Sequence, residues 1–375
     1  EERGMKAFCI NTGVFEPAFK ADVDTDEVCK AAGGDLKALV EKKDRATATA
    51  TISAGLEILL PKLYAEGKFE AVISAGGSGG TSMAAPAMRK LPLGVPKMII
   101  STMASGNVSQ YVDTSDLIMI PSIVDVEGLN DISKTVFTNA VNAICGMLHF
   151  DKEIKTDGKP LLAATMFGVT TPCIKTAKEY LESQGYEVLV FHATGAGGKT
   201  MESLVESGFI KGVLDITTTE WCDEVVGGVL SAGPHRLEAA AKMGVPQVVS
   251  VGALDMVNFG PFDTVPKEFE GRNLYKHNPT VTLMRTTAEE LEQIGTVIAE
   301  KLNMAKDKTA LILPLKGVSM IDVEGQAFYD AEADKALFDT LKAKVNDSVE
   351  VIEMDNAVND DEFAIAAAKK LISML

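Results

Sequence analysis

The sequence predicts an α/β protein of two Rossmann-like domains, each built on a mostly parallel, doubly wound sheet. Three observations carry this. Short runs of small and β-branched residues alternate with amphipathic helical stretches along the 375 residues. Several runs end in polar, glycine-rich turns, the place where such folds bind ligands. Midway, residues 151–160 (DKEIKTDGKP) break the alternation with charge, glycine and proline. This stretch reads as a linker between an N-terminal domain, 1–152, and a C-terminal domain, 160–375.

In the first half, residues 6–11 (KAFCIN) read as a strand that Thr12-Gly13 ends. Residues 14–34 read as a loop with an acidic patch, Asp22, Asp24, Asp26 and Glu27, without the glycine and glutamate offsets of a calcium loop. Residues 44–66 are helical, with Ile52, Leu56, Leu59, Leu60 and Leu63 on one face and Gly67 as a stop. Pro61 is expected to kink that helix or cut it short. An apolar strand around 71–74 then runs into Gly76-Gly77-Ser78-Gly79-Gly80-Thr81-Ser82 and a helix reaching about Lys90. Strands follow at 97–102 (KMIIST) and 116–120. Asn130 or Asp131 caps an amphipathic helix whose apolar face is Ile132, Val136, Phe137, Ala140, Val141, Ile144 and Leu148.

The second half repeats the theme. Strands are expected at 161–166, 187–191, 212–216, 247–251, 281–284, 309–313 and 348–353, with helices between most of them and clearest at 288–302 and 362–375.

Composition narrows the function classes. The formal charge of −17 argues against a nucleic-acid sleeve or an anionic membrane surface as partner. No apolar run approaches the ~18 residues of a membrane span, and the polar start Glu1-Glu2-Arg3-Gly4 shows no secretory signal. Five scattered cysteines form no CxxC pair, so a structural zinc is not expected and a reducing, cytoplasmic setting is.

The turn at 76–82 carries the leading chemistry. Its glycines leave no Cβ in a ligand's way. A helix opening there aims unpaired N–H groups and a partial positive charge at the turn, which favours an anion such as phosphate. The alternative is a turn that only packs a helix tightly on its sheet. Gly76-Gly77-Ser78-Gly79-Gly80 also satisfies the letters of a nucleophile elbow, which would make Ser78 a catalytic nucleophile.

In the second half, 193–200 (ATGAGGKT) is a relaxed phosphate loop after a strand, with Lys199 at the lysine position. A polar active-site turn and simple packing are its other readings. His192, Glu202, Asp215, Thr217, Thr218, Thr219, Glu220, Asp223, Asp255 and His277 could converge there to hold a divalent metal or perform acid–base work. His192, Glu202 and Glu220 are the candidate catalytic groups, in a second site at a domain cleft.

Several long motifs in register resemble one family of bacterial and plant proteins. They are residues 76–82, Leu91-Pro92-Leu93-Gly94-Val95-Pro96-Lys97, Ser101-Thr102-Met103-Ala104-Ser105-Gly106, Tyr111-Val112-Asp113-Thr114-Ser115-Asp116 and Ser122-Ile123-Val124-Asp125. In the second half, His192-Ala193-Thr194-Gly195-x-Gly197-Gly198, Thr217-Thr218-Thr219-Glu220 and Gly233-Pro234-x-Arg236 fit as well. The family is uncharacterised and includes the ATP-binding inhibitory domain of the tomato tobamovirus-resistance protein.

The resemblance implies two Rossmann-like subdomains, an ATP-type ligand in the first, and a homodimer. Gly77, Ser78, Gly79, Gly80, Thr81, Ser82, Thr102, Ser105 and Gly106 would then line a phosphate site. Gly76, which opens the turn, joins them as a candidate contact, and Asp125 is our own candidate to hold Mg²⁺ through water. It also implies a further strand and helix ahead of Glu1, so an edge element is expected to be missing here. Two function classes stay open: a nucleotide-responsive binding protein, and a hydrolase or transferase acting on a small acidic or phosphorylated metabolite.

Overall fold

In the computed structural model, which describes residues 3–15, 17, 19–150, 158–306 and 308–375, the chain forms two compact units, 1–155 and 156–375. The expected linker at 151–160 lies outside the described residues up to 157. Both units have parallel α/β sheets, as the alternation of strand and helix patterns requires.

The first unit holds helices α1 (Thr25–Ala31), α2 (Leu36–Lys42) and α3 (Arg45–Ala65). There follow strand β1 (Val72–Gly76), helix α4 (Ser78–Arg89), strand β2 (Lys97–Ser101), the short helix α5 (Ser109–Val112), strand β3 (Ile118–Pro121) and helix α6 (Asp131–His149). The strands make a parallel sheet in the order β1-β2-β3. Central β2 is buried along its length, as an apolar run without alternation predicts. It carries Lys97, 1% exposed, whose Nζ pairs with Asp116 at 2.5 Å and donates to the carbonyls of Pro92 and Val95. That full set of partners makes a buried ammonium tolerable. Asn130 caps α6 in a reciprocal capping box with Ser133.

Four readings of the sequence need correction. Residues 6–11 form no strand; Ile10 makes one isolated parallel bridge to Val23, because nothing among the described residues extends the pairing into a ladder. Residues 14–34 are not all loop, since α1 lies within them. Its Val28 and Cys29 are buried, and its acidic first turn suits a helix N-terminus. The α1 backbone comes so close to α3 that a Cβ on Gly55 would sit 1.9 Å from the Val28 carbonyl oxygen. Of the two outcomes expected at Pro61, the structure overturns the second: helix α3 is not cut short there but runs to Ala65. The buried stripe of Leu56, Leu59, Leu60 and Leu63 continues across the proline and outweighs one lost hydrogen bond. The fourth correction is Val281–Arg285, described below.

The second unit is organised by a six-stranded parallel sheet of β4 (Leu161–Met166), β5 (Glu187–His192), β6 (Ile210–Thr217), β7 (Gln247–Gly252), β11 (Thr309–Pro314) and β12 (Val349–Met354). The order is β12-β11-β7-β6-β4-β5, so the direction of winding reverses between β4 and β6. Helices α7 (Thr171–Ser183) and α13 (Asp361–Met374) pack with one set of sheet residues, among them Leu162, Leu214 and Ile312. Helices α8 (Ala196–Glu206) and α10 (Ala239–Met243) form a separate core with Ala163 and Val213. Helices α9 (Glu220–Val226), α11 (Ala288–Leu302) and α12 (Ala331–Lys344) complete a further core with Val249, Val251 and Leu311.

Val281–Arg285 is a strand, β10, but not of this sheet. It pairs antiparallel with β8 (Met256–Phe259) and β9 (Leu274–Asn278). Its apolar run suits either sheet, and only the connections decide.

Candidate functional site

The turn between β1 and α4 is open. Gly77 is the N-cap of α4, and no side chain caps the helix. The N–H groups of Ser78, Gly79 and Gly80 have no partner among the described residues, and the first satisfied one is Thr81 N–H on Gly77 O at 3.0 Å. These are the orphan donors of a helix start, with the positive end of its dipole behind them.

The expected residues divide between floor and rim. Thr81 is fully buried; its Oγ1 donates to Gly77 O and lies 2.6 Å from Ser101 Oγ. It holds the turn against the end of β2 and is closed to a ligand. Ser78, Ser82, Ser105 and Gly106 are exposed, and Thr102 is half-buried. A Cβ on Gly77 would lie 3.6 Å from Thr102 Oγ1, which puts that hydroxyl beside the turn. Ser82 Oγ is engaged with Ser78 O. Ser78 Oγ has no histidine partner among the described residues, so the elbow reading has no general base in place.

Arg45, the first residue of α3, was not singled out from the sequence. A Cβ on Gly79 would stand 3.2 Å from its Nη2. The side chain is exposed and makes no ion pair among the described residues. A cation beside a run of free amides is the electrostatic complement of phosphate. The only sequence signal is its place one residue after the N-cap Asp44, some thirty residues before the turn.

Asp125 is exposed beyond the end of β3 and accepts the Val126 N–H at 2.8 Å. Two residues earlier, Ile123 has φ +66° and is exposed. Asp113, after α5, has φ +45°. Left-handed backbone at a β-branched residue is strained, and strain of this kind concentrates at functional sites. No group of three His, Cys, Asp or Glu among the described residues could hold a metal. A cation at Asp125 would therefore depend on ligand oxygens for most of its shell.

The second glycine-rich turn has the same local form and the opposite state. Gly195 N–H and Gly198 N–H both donate to Glu220 Oε1, at 2.7 and 3.1 Å. Glu220 is 1% exposed. Arg236 Nε donates to its Oε2 at 2.7 Å, and Arg236 Nη1 and Nη2 clasp the Asp215 carboxylate at 2.5 and 2.7 Å. Glu202 accepts from Arg236 Nη1 and from the N–H groups of Leu237 and Ala239. A carboxylate of the chain itself occupies the cradle a phosphate would need. Lys199 is exposed beside it, 4.0 Å from where a Gly233 Cβ would stand.

Burial pushes the Glu202 carboxyl up, against the opposing pull of Arg236. Burial by itself would lower Arg236; the charges of Asp215 and Glu220 reverse that and hold it well above its ordinary value. The polar residues expected to converge do so only in part. Asp215, Glu202 and Glu220 meet on Arg236. Asp223 accepts from the N–H and side-chain amide of Asn258. Asp255 faces Ser319. His192 is exposed and stacked on Phe167, and His277 is exposed on β9. Thr217, Thr218 and Thr219 spend their hydroxyls on Thr165 O, Ser250 O and Met256 O. Alternation along a strand and the divergence of loops send these groups to different cores. Arg236, which gathers three of them, stood in the sequence only as one letter of a motif.

No helix among the described residues is long and apolar enough to cross a membrane.

Comparison with known proteins agrees with the two-part organisation. The N-terminal domain of the Uncharacterised protein family (UPF0261) matches residues 1–153, and its C-terminal domain matches 159–375. A UPF0261 protein of Clostridium tetani is 56% identical over 100% of this chain and 93% of its own length. One of Rhizobium meliloti is 45% identical over 98% of the chain and 92% of its own. The ToMV resistance protein Tm-1(GCR237) of Solanum lycopersicum is 48% identical over 88% of the chain, but the match spans 45% of the tomato protein.

Proposed function

The chain belongs to the UPF0261 family, and from that premise we propose that its first unit binds ATP or a related phosphorylated ligand at the β1–α4 turn. The observation that carries this reading is the contrast between the two turns. One is filled by Glu220 of the same chain, while among the described residues the other keeps three helix-start amides free beside an arginine with no ion pair. Phosphate satisfies both the orphan donors and the cation.

In this reading Gly76, Gly77, Gly79 and Gly80 admit the phosphates to the backbone. Ser78, Ser82, Thr102, Ser105 and Gly106 form the rim, Thr81 braces the turn from below, and Arg45 reaches in from α3. Asp125 holds Mg²⁺ through water, with phosphate oxygens completing the shell. The protein acts as a homodimeric, cytoplasmic nucleotide-responsive protein. Five free cysteines suit that compartment.

Calorimetry with Mg-ATP tests the reading. Saturable heat is expected from the unmodified chain. Ser78→Asp places a negative charge in the first turn of α4, where it supports the helix and repels phosphate. It should weaken binding at least ~10-fold, about 1.4 kcal/mol, with no loss of melting temperature. No heat from the unmodified chain, or undiminished affinity in the variant, overturns the assignment.

A further inference from the structure

Beyond the carboxyl ends of β7 and β11, four charged side chains from four segments meet out of water. They are Arg285 on β10, Asp255 ahead of β8, Asp322 in the segment after β11, and Asp334 on α12, none more than 5% exposed. Arg285 Nη2 donates to Asp334 Oδ1 at 2.7 Å and to Asp322 Oδ1 at 3.2 Å. Its Nε donates to Phe328 O at 2.6 Å and its Nη1 to Thr286 Oγ1 at 2.9 Å. Ser319 Oγ donates to Asp255 Oδ2, Val318 N–H donates to Asp322 Oδ2, and buried Asp255 Oδ1 has no partner.

Three carboxylates face one guanidinium. Among the described residues no other cation reaches them: Lys316 and Lys335, on the adjoining cavity, are paired with Asp355 and Asp339. The other groups nearby add no positive charge. Asp330 caps α12. The Cys222 thiol of α9 donates to Leu254 O. Arg272 donates to Arg285 O but is held by Glu290 of α11. One guanidinium against three buried carboxylates leaves two negative charges without a cation, a cost that bound protons remove.

We propose that this cluster is a proton-held latch: protons shared among Asp255, Asp322 and Asp334 pin the segment 315–330 to the rim of the second unit, and their loss frees it. Asp322, Ser319 and the Phe328 carbonyl are the segment's side of the latch. The same segment forms one wall of an open cavity of about 770 Å³, lined by Leu315, Gly317, Val323, Tyr329 and, from the latch itself, Asp334. Deprotonation leaves net negative charge where water cannot screen it, so the cavity wall loosens as pH rises. Burial is the main cause that raises Asp255 to about 7 and Asp322 to about 9, and burial raises Asp334 too. Both folded values lie above the ordinary carboxylate range, so the latch holds at low pH and is lost as pH rises through them.

Hydrogen exchange of the full chain from about pH 6 to about pH 9, corrected for intrinsic exchange, reads the latch directly. Peptides covering 315–330 should lose protection at least ~10-fold over that range, while peptides from α13 keep theirs. Asp322→Asn removes one of the charges that appear on deprotonation and should keep the segment protected at the upper end. Asp255→Asn serves in its place if that variant does not fold. Infrared spectra of the unmodified chain should show a protonated-carboxyl band at neutral pH that bleaches on alkalinisation. Protection that does not change with pH, asparagine variants that follow the unmodified chain, or absence of the band would each overturn the latch.

Discussion

Arg236 and Glu220 are joined by an Nε–Oε2 hydrogen bond of 2.7 Å, with each side chain at most 2% exposed. Through this pair the second glycine-rich turn receives its anion from within the chain. Arg236→Ala would strand Glu220, Asp215 and Glu202 together without a cation. Removing one partner of a buried ion cluster costs about 3–5 kcal/mol. Urea denaturation should show the second unit losing stability on that scale, and an effect below ~1 kcal/mol would mean the cluster relaxes or takes up protons cheaply.

Arg45 is expected to act on ligand and not on fold. It is exposed and has no ion pair among the described residues, so Arg45→Ala should change stability by no more than ~0.5 kcal/mol. Losing a charge-assisted contact to phosphate should weaken Mg-ATP roughly 10- to 100-fold. Calorimetry on the variant gives both numbers when paired with a melt, and equal affinities would remove Arg45 from the site.

Burial raises the Asp223 carboxyl to about 7, against the pull of its hydrogen bonds from Asn258. The folded state holds a proton that the unfolded chain has already released. This group's contribution is therefore complete at low pH and disappears as pH climbs through about 7. The urea midpoint of the second unit should fall between about pH 4 and pH 7. In Asp223→Asn that fall should shrink. The variant should fold, because the unpartnered Asn258 Oδ1 can accept from the new amide once Asn258 turns over. A slope identical in both proteins would assign the pH dependence elsewhere.

Gly55→Ala separates helix propensity from packing. In an isolated helix the change gains about 1 kcal/mol. Here the added Cβ would meet the Val28 carbonyl oxygen at 1.9 Å, and forcing α1 away from α3 costs about 1–3 kcal/mol or more. Net destabilisation of the first unit is expected in thermal melts; a stabilised variant would show that α1 moves aside freely.

Much of the molecule was legible because it depends on local pattern. The apolar runs of β2, β4 and β7 and the helical face of α11 announce themselves by period, and Asn130 by its capping chemistry. The strand–glycine–helix form of both turns was equally plain. What differs between them was not. Turn geometry is written in adjacent residues, whereas the group that fills a turn arrives from elsewhere: Glu220 from 22 positions beyond Gly198, Arg45 from the start of a different helix. For the same reason β10 was recognised as a strand and assigned to the wrong sheet.

By itself, then, the chain determined its alternating elements, its two α/β halves and the places where backbone amides would point outward, because each rests on a period or a residue's own φ preference. The tertiary structure decided which of those amides remain free and which carboxylates sit beside an arginine. Those are questions of distance between remote residues, and desolvation and Coulomb energy depend on that distance alone, whatever the separation along the sequence.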